Sequence, residues 1–239
     1  MDSASLTTDE RGALDGLAAE LRRVFGARLY SVVAYGLHPP ASAGRLLHSL
    51  ALVDRLAFED LAACAPFAAG WHRRSLAVPL ILEREEFVRT LDVFPLEYGD
   101  IIAHHVLVTG ADPFAGATVS PVDVRRACEL SAKSHLIHLR EGFIETGGEA
   151  QAVGRLIAAS APAFSALLRN IARLSYDQDG DVAETAERQI GILASVVREV
   201  ISAGAGTRSS IAEPTALMSH YIAAAERVWE YVDTWRARA

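Results

Sequence analysis

LYSVVAYG, residues 29–36, is the stretch on which the fold turns. β-Branched and aromatic residues are packed into a short run that closes on Gly36, and the stiff His38-Pro39-Pro40 follows, so it reads as strand, then turn. Just upstream, residues 8–25 carry Leu14, Leu17, Leu21, Val24 and Phe25 at helical spacing behind acids and a candidate N-cap, Thr8. Downstream come three further strand candidates: HSLALVD (48–54), LAVPLIL (76–82) and HHVLVTG (104–110). Between them lie the helical FEDLAACAPFAAGWHRR (58–74), with a turn or kink expected at Pro66, the acidic helical EREEFVRT (83–90), and LDVFPLEYGD (91–100), which reads as extended.

Strands alternating with helices through residue 110 predict a small mixed sheet whose apolar faces are covered by helices. After the Gly- and Pro-punctuated GADPFAGATVSP the pattern changes. Residues 121–145, 149–174, 181–202 and 213–236 repeat Ala, Leu and Ile every three or four positions, which predicts an antiparallel helical bundle. The expected architecture is therefore α+β: an α/β domain over 1–115 and a helical domain over 116–239.

The chain has 239 residues, 51% apolar and 22% charged, with a formal charge of −7. That composition excludes wholesale disorder and gives no broad positive surface for extended nucleic acid. The apolar runs are broken by charge and the amino end has no basic start before a greasy core, so neither a membrane partner nor a secretion signal is expected, and the cytoplasm is the default location. Cys64 and Cys128 have no CxxC or metal-ligand spacing and read as buried thiols.

Candidate chemistry is sparse. Gly36 lets the backbone turn closely and offer amides to an anion, with His38 beside it, or it serves the turn alone. Asp54, Asp92, Glu97 and Asp100 stand at or near the ends of extended segments, where converging carboxylates would hold a divalent metal, or where ordinary loops put acids. Asp92 lies inside an apolar run, and a buried acid needs a partner. His104 and His105 are expected on opposite strand faces, whereas His135 and His138 share a helix face. Trp71, His72, Arg73 and Arg74 form either a phosphate clamp or a solvated helix end. Lys133, His135, His138, Arg140, Glu141 and Glu145 make a polar ladder on one helix, and Tyr221, Glu226, Trp229, Glu230, Tyr231 and Trp235 crowd the last one. These two sets are expected to line an interdomain cleft for a small ligand or to form a homodimer seam.

The order of helix, strand with glycine turn, second strand, helix, third strand, then LDVFPLEYGDIIAHHVLVTGADPF (91–114) and a bundle resembles bacterial nucleotidyltransferase-domain proteins. These have a polymerase-beta-like fold, here with a helical domain in the style of the antibiotic nucleotidyltransferases. The resemblance covers residues 20–145 by motif and the rest by helical character, and its most specific segment is DVFPLE (92–97) with Gly110 and Asp112. It implies a glycine-serine turn after the first strand, two alternating aspartates on the next and a third acid from a later strand, together binding metal and nucleoside triphosphate. Gly36 matches the glycine, but Leu37 stands in the serine position. Leu50-Ala51-Leu52-Val53 carries no carboxylate, Asp54 only follows it, and Asp92 matches the third acid. The expectation is a catalytically degenerate branch with neither metal nor cofactor, binding a small molecule or a second copy through Gly36, His38, Asp92, Arg140, Tyr221 and Glu226. The alternative is magnesium-dependent nucleotidyl transfer to a small hydroxyl or amino acceptor, with Asp54, Asp92 and Glu97 on the metal.

Overall fold

A computed structural model of the chain describes residues 6–37, 46–174, 180–206 and 211–236. Two compact units meet in sequence between Val119 and Ser120. Each has its own core.

The first unit opens with α1 (Thr8–Phe25), whose N-cap is Thr7 rather than Thr8. Thr7 wins because Glu10 then falls at the third helical position and closes a capping box: Glu10 N–H donates to Thr7 Oγ1 over 3.2 Å, and Thr7 N–H donates to the Glu10 carboxylate over 2.8 Å. Leu14, Leu17, Leu21 and Phe25 form its buried stripe. The sheet comprises β1 (Leu29–Tyr35), β2 (His48–Val53), β3 (Leu80–Glu83) and β4 (His105–Gly110), in the order β3-β2-β1-β4. β1 pairs antiparallel with β2 and β4, and β2 pairs parallel with β3, so the sheet is mixed as expected.

Because alternate residues of a strand face opposite ways, the sheet has two apolar faces. Val32, Ala34, Ala51 and Val53 pack under α1 together with Trp71. Val33, Leu50 and Leu52 pack with Phe87, Tyr98, Ile101 and Phe114 on the other side. The helices between strands are α2 (Phe58–Cys64) and α3 (Ala68–Arg73), separated by a tight turn at Ala65–Phe67 that holds Pro66, then α4 (Arg84–Arg89) and α5 (Pro95–Ala103). The last departs from expectation: residues 91–100 are a turn leading into a helix, not extended chain. Pro95 sits in the first turn of α5, where its fixed φ suits a helix and its missing N–H costs nothing, and Tyr98 and Ile101, three apart, become its buried face. At the β4 edge, Arg11 donates to the Leu107 carbonyl and Arg22 to Thr109 Oγ1, each over 3.2 Å, which gives exposed edge groups a partner.

The second unit is a helical bundle of α6 (Pro121–Glu145), α7 (Ala150–Leu174), α8 (Val182–Ile190), α9 (Ala194–Gly204) and α10 (Pro214–Thr234). The single helix expected over 181–202 is two. Gly191 adopts a left-handed φ of 77° and ends α8, its N–H donating to the Glu187 carbonyl. α7 is long and apolar enough to cross a membrane by length and composition alone. It carries Arg155, Arg169 and Arg173, and its stripe of Val153, Ile157, Ala161, Phe164, Leu168 and Ile171 is buried against α6, α9 and α10, which makes it the core helix of the bundle.

Candidate functional site

The candidate residues at the ends of β1 and β2 are not neighbours, because the two strands are antiparallel: Tyr35 is level with His48 and Leu29 with Val53, so Gly36 and Asp54 lie at opposite ends of the pair. Gly36 has a φ of +69°, so the strand leaves through a backbone conformation that suits glycine. Leu37, in the position where the resemblance expects serine, packs with the α1-side core. His38 lies outside the described residues. On β2 both alternating pairs are buried among hydrocarbon: Leu50 and Leu52 on one face, Ala51 and Val53 on the other. Phe87 anchors the first of these clusters, its ring centroid 4.7 Å from Tyr98 and 5.3 Å from Phe114.

The three candidate metal-binding acids are placed as follows. Asp54 is exposed just past β2 and pairs with Arg84 over 3.4 Å, while the Arg84 guanidinium lies 3.7 Å from the Tyr30 ring centroid. Its backbone N–H is also taken, by the Arg28 carbonyl. Asp92 is exposed in the turn before α5, so it is not the buried acid that its apolar neighbours suggest; Leu91 turns inward while Val93 and Phe94 stay at the surface. Glu97 is exposed in the first turn of α5, where a carboxylate faces the positive end of the helix dipole. Among the described residues no three His, Cys, Asp or Glu side chains gather in a group fit for a metal ion.

Several other candidates resolve into framework. Trp71 is buried and its indole N–H donates to Glu20 over 2.7 Å; Arg74 pairs with the same carboxylate at 2.7 Å. That fastens α3 to α1 through Trp71 and Arg74, while His72 and Arg73 are exposed in the last turn of α3, the solvated helix end that was one of the two roles expected for the GWHRR segment. Gly110 has a φ of +89°, and a Cβ there would lie 2.1 Å from the Tyr30 carbonyl oxygen. Asp112 accepts the Phe114 N–H at 2.9 Å and lies 3.5 Å from His105 Nε2, while the His105 ring stands edge-on to Phe114. The segment that carried the strongest resemblance thus holds β4 against β1 and seats Phe114 in the core. Asp60 was not expected at all. It takes a bidentate grip from Arg28, at 2.7 and 2.8 Å, and that hydrogen bonding lowers its pKa to about 2. The local signal was present, since Asp60 stands at the third position of α2 and accepts from the Ala57 N–H, but its partner is 32 residues away.

In the helical unit the polar ladder of α6 meets the aromatic ladder of α10. Lys133 Nζ lies 3.6 Å from the Trp229 ring centroid, and Arg140 pairs with Glu226. Tyr221 is fully buried; its hydroxyl and His135 Nε2 share a hydrogen bond of 2.8 Å, and the His135 ring stacks on Phe164. Burial, helped by the neighbouring His138, lowers the His135 pKa to about 4, so the imidazole is neutral at pH 7. Burial also pushes the Tyr221 hydroxyl up. Arg140, Tyr221 and Glu226, expected to bind a ligand, thus have their polar groups engaged within the bundle. A shallow groove lies between the start of α6 and the end of α10, lined by Val122, Arg125, Glu129, Asp233, Trp235 and Arg236.

No protein-family model matches the chain, and no curated protein matches it either. Among solved structures, spectinomycin adenyltransferase AAD(9) from Enterococcus faecialis, determined with ATP and spectinomycin, is similar in fold. The match has a TM-score of 0.55 at 10% sequence identity and covers 91% of this chain and 98% of that one. Identity that low speaks for the fold alone, and the fold of this chain is nucleotidyltransferase-like: an α+β unit with a mixed sheet, followed by a helical one.

Proposed function

We propose that the chain is a non-catalytic nucleotidyltransferase-like protein of the cytoplasm that binds a small ligand or a protein partner. The observation that carries this reading is the burial of β2. Whichever alternating pair is taken as the counterpart of the two aspartates, Leu50 with Leu52 or Ala51 with Val53, it faces a packed apolar cluster. A carboxylate in either place would be stripped of water without a cation to offset it. The donor set therefore does not fit a magnesium–triphosphate group. Asp54 held by Arg84, and Asp92 out in a turn, support the same reading.

Nucleotidyl transfer to a small hydroxyl or amino acceptor, with Asp54, Asp92 and Glu97 on magnesium, is the second reading. What favours it is the adenyltransferase activity of the structural neighbour over nearly the whole chain. Calorimetric titration with Mg-ATP and with Mg-GTP separates the two. Absence of heat with both nucleotides is the expected result; micromolar affinity that Asp92→Asn abolishes would overturn the non-catalytic reading.

A further inference from the structure

The groove between the start of α6 and the end of α10 lies within the helical unit and has a volume of about 380 Å³, which suits a small ligand. Its polar groups are only partly engaged. Arg125 is held through one nitrogen: Nη1 donates to the Val232 carbonyl over 3.2 Å and lies 2.9 Å from the Glu129 carboxylate. Arg236 is held in the same way, its Nη1 reaching the Asp233 and Trp235 carbonyls at 3.4 and 3.0 Å. Among the described residues neither guanidinium has spent Nε or Nη2, and a guanidinium edge of that kind grips a carboxylate through two parallel hydrogen bonds. The Asp233 carboxylate and the half-buried Trp235 indole also have no partner among those residues.

We propose that this groove binds a small zwitterion with a planar side chain, an aromatic α-amino acid. The lining charges balance, Arg125 and Arg236 against Glu129 and Asp233, so the groove has no net field to favour a plain anion or a plain cation. It has a seat for each sign instead. The open guanidinium edges take the ligand carboxylate, and because the carbonyls that end α10 already hold both Nη1 atoms, the ligand displaces no existing contact. Glu129 is neutralised by Arg125, which leaves Asp233 as the charge that answers the ammonium. Trp235 offers its indole to the ring. The proposal rests on the small-ligand arm of the non-catalytic reading and puts that ligand on the helical unit.

Calorimetric titration of the full chain with L-phenylalanine and with L-tryptophan tests the idea. The expected result is saturable binding of at least one of them. Its dissociation constant should rise at least about tenfold when the ligand loses its carboxylate, as the amide, when it loses its ammonium, as 3-phenylpropanoate or 3-indolepropanoate, and when it loses its ring, as L-alanine. Arg236→Gln and Trp235→Leu should each weaken binding by at least about tenfold with unchanged circular dichroism, because both side chains lie beyond the buried stripe of α10. No saturable heat with either amino acid, equal affinity for the amide or the propanoate, or binding that both variants leave intact overturns the proposal. Its failure leaves the non-catalytic reading standing, since the Mg-ATP and Mg-GTP titrations decide that reading separately.

Discussion

Gly110 and Ser49 show opposite departures from a relaxed residue. With a φ of +89° and the Tyr30 carbonyl where a Cβ would go, Gly110 tolerates no side chain, because the obstacle is backbone and cannot swing aside. Gly110→Ala should lower unfolding free energy by more than about 2 kcal/mol in a urea titration, through strain at a left-handed φ together with a displaced β1. Ser49 is buried on β2 and its hydroxyl has no partner among the described residues, so Ser49→Ala should raise stability, by about 1 kcal/mol in the same assay. Neither effect was legible beforehand: Gly110 read as the end of a strand, and Ser49 as one polar residue in an apolar run. The acids were misread for a related reason. LDVFPLE looks like a strand with an acid trapped inside it until Pro95 is recognised as a helix start, after which Asp92 falls in the turn. Asp60 escaped notice because its significance depends on Arg28, which the chain brings to it only after folding.

At the scale of elements, helices were most legible where their ends were marked by local chemistry. α6 begins and ends where the pattern put it, with Ser120 as N-cap and Pro121 in its first turn. α8 and α9 merged in the sequence because Ile190, Ile192 and Leu193 keep an apolar rhythm across the break, which hid the one residue that enforces it, Gly191. α1 was placed correctly but capped one residue late. Its reciprocal box makes a definite expectation: Thr7→Ala removes the side-chain acceptor for Glu10 N–H and should cost about 1 kcal/mol by thermal or urea unfolding, whereas Thr8→Ala should cost little. Close helix approach is equally specific. A Cβ on Gly204 of α9 would come 2.6 Å from Ala161 Cβ on α7, so Gly204→Val should force those helices apart and destabilise the bundle by about 2 kcal/mol or more.

For the molecule as a whole, the two units respond to acid in separate windows. His135, in the helical unit, has its pKa lowered from 6.5 to about 4, so between those values the unfolded chain binds a proton that the folded one refuses. Its contribution, on the order of 3 kcal/mol, is present above pH 6.5 and is lost as pH falls towards 4. Asp60, in the sheet unit, is lowered from 3.8 to about 2, so its contribution is present above 3.8 and is lost only as pH falls towards 2. Amide hydrogen exchange resolved by segment should show the helical amides losing protection between pH 6.5 and 4, and His135→Gln should flatten that slope while leaving the sheet unit unaltered. The packing of β2 has a consequence of another kind. If Leu50 or Leu52 were changed to aspartate, the new charge would enter a cluster built on Phe87, Tyr98, Ile101 and Phe114 before any second carboxylate or metal was there to share it. Each single step should unfold the sheet unit, as loss of cooperative melting would show. Installing a pair of carboxylates on β2 one substitution at a time therefore runs through chains that cannot fold: the hydrocarbon there blocks any stepwise route, and both acids would have to arrive together with a cation to offset them.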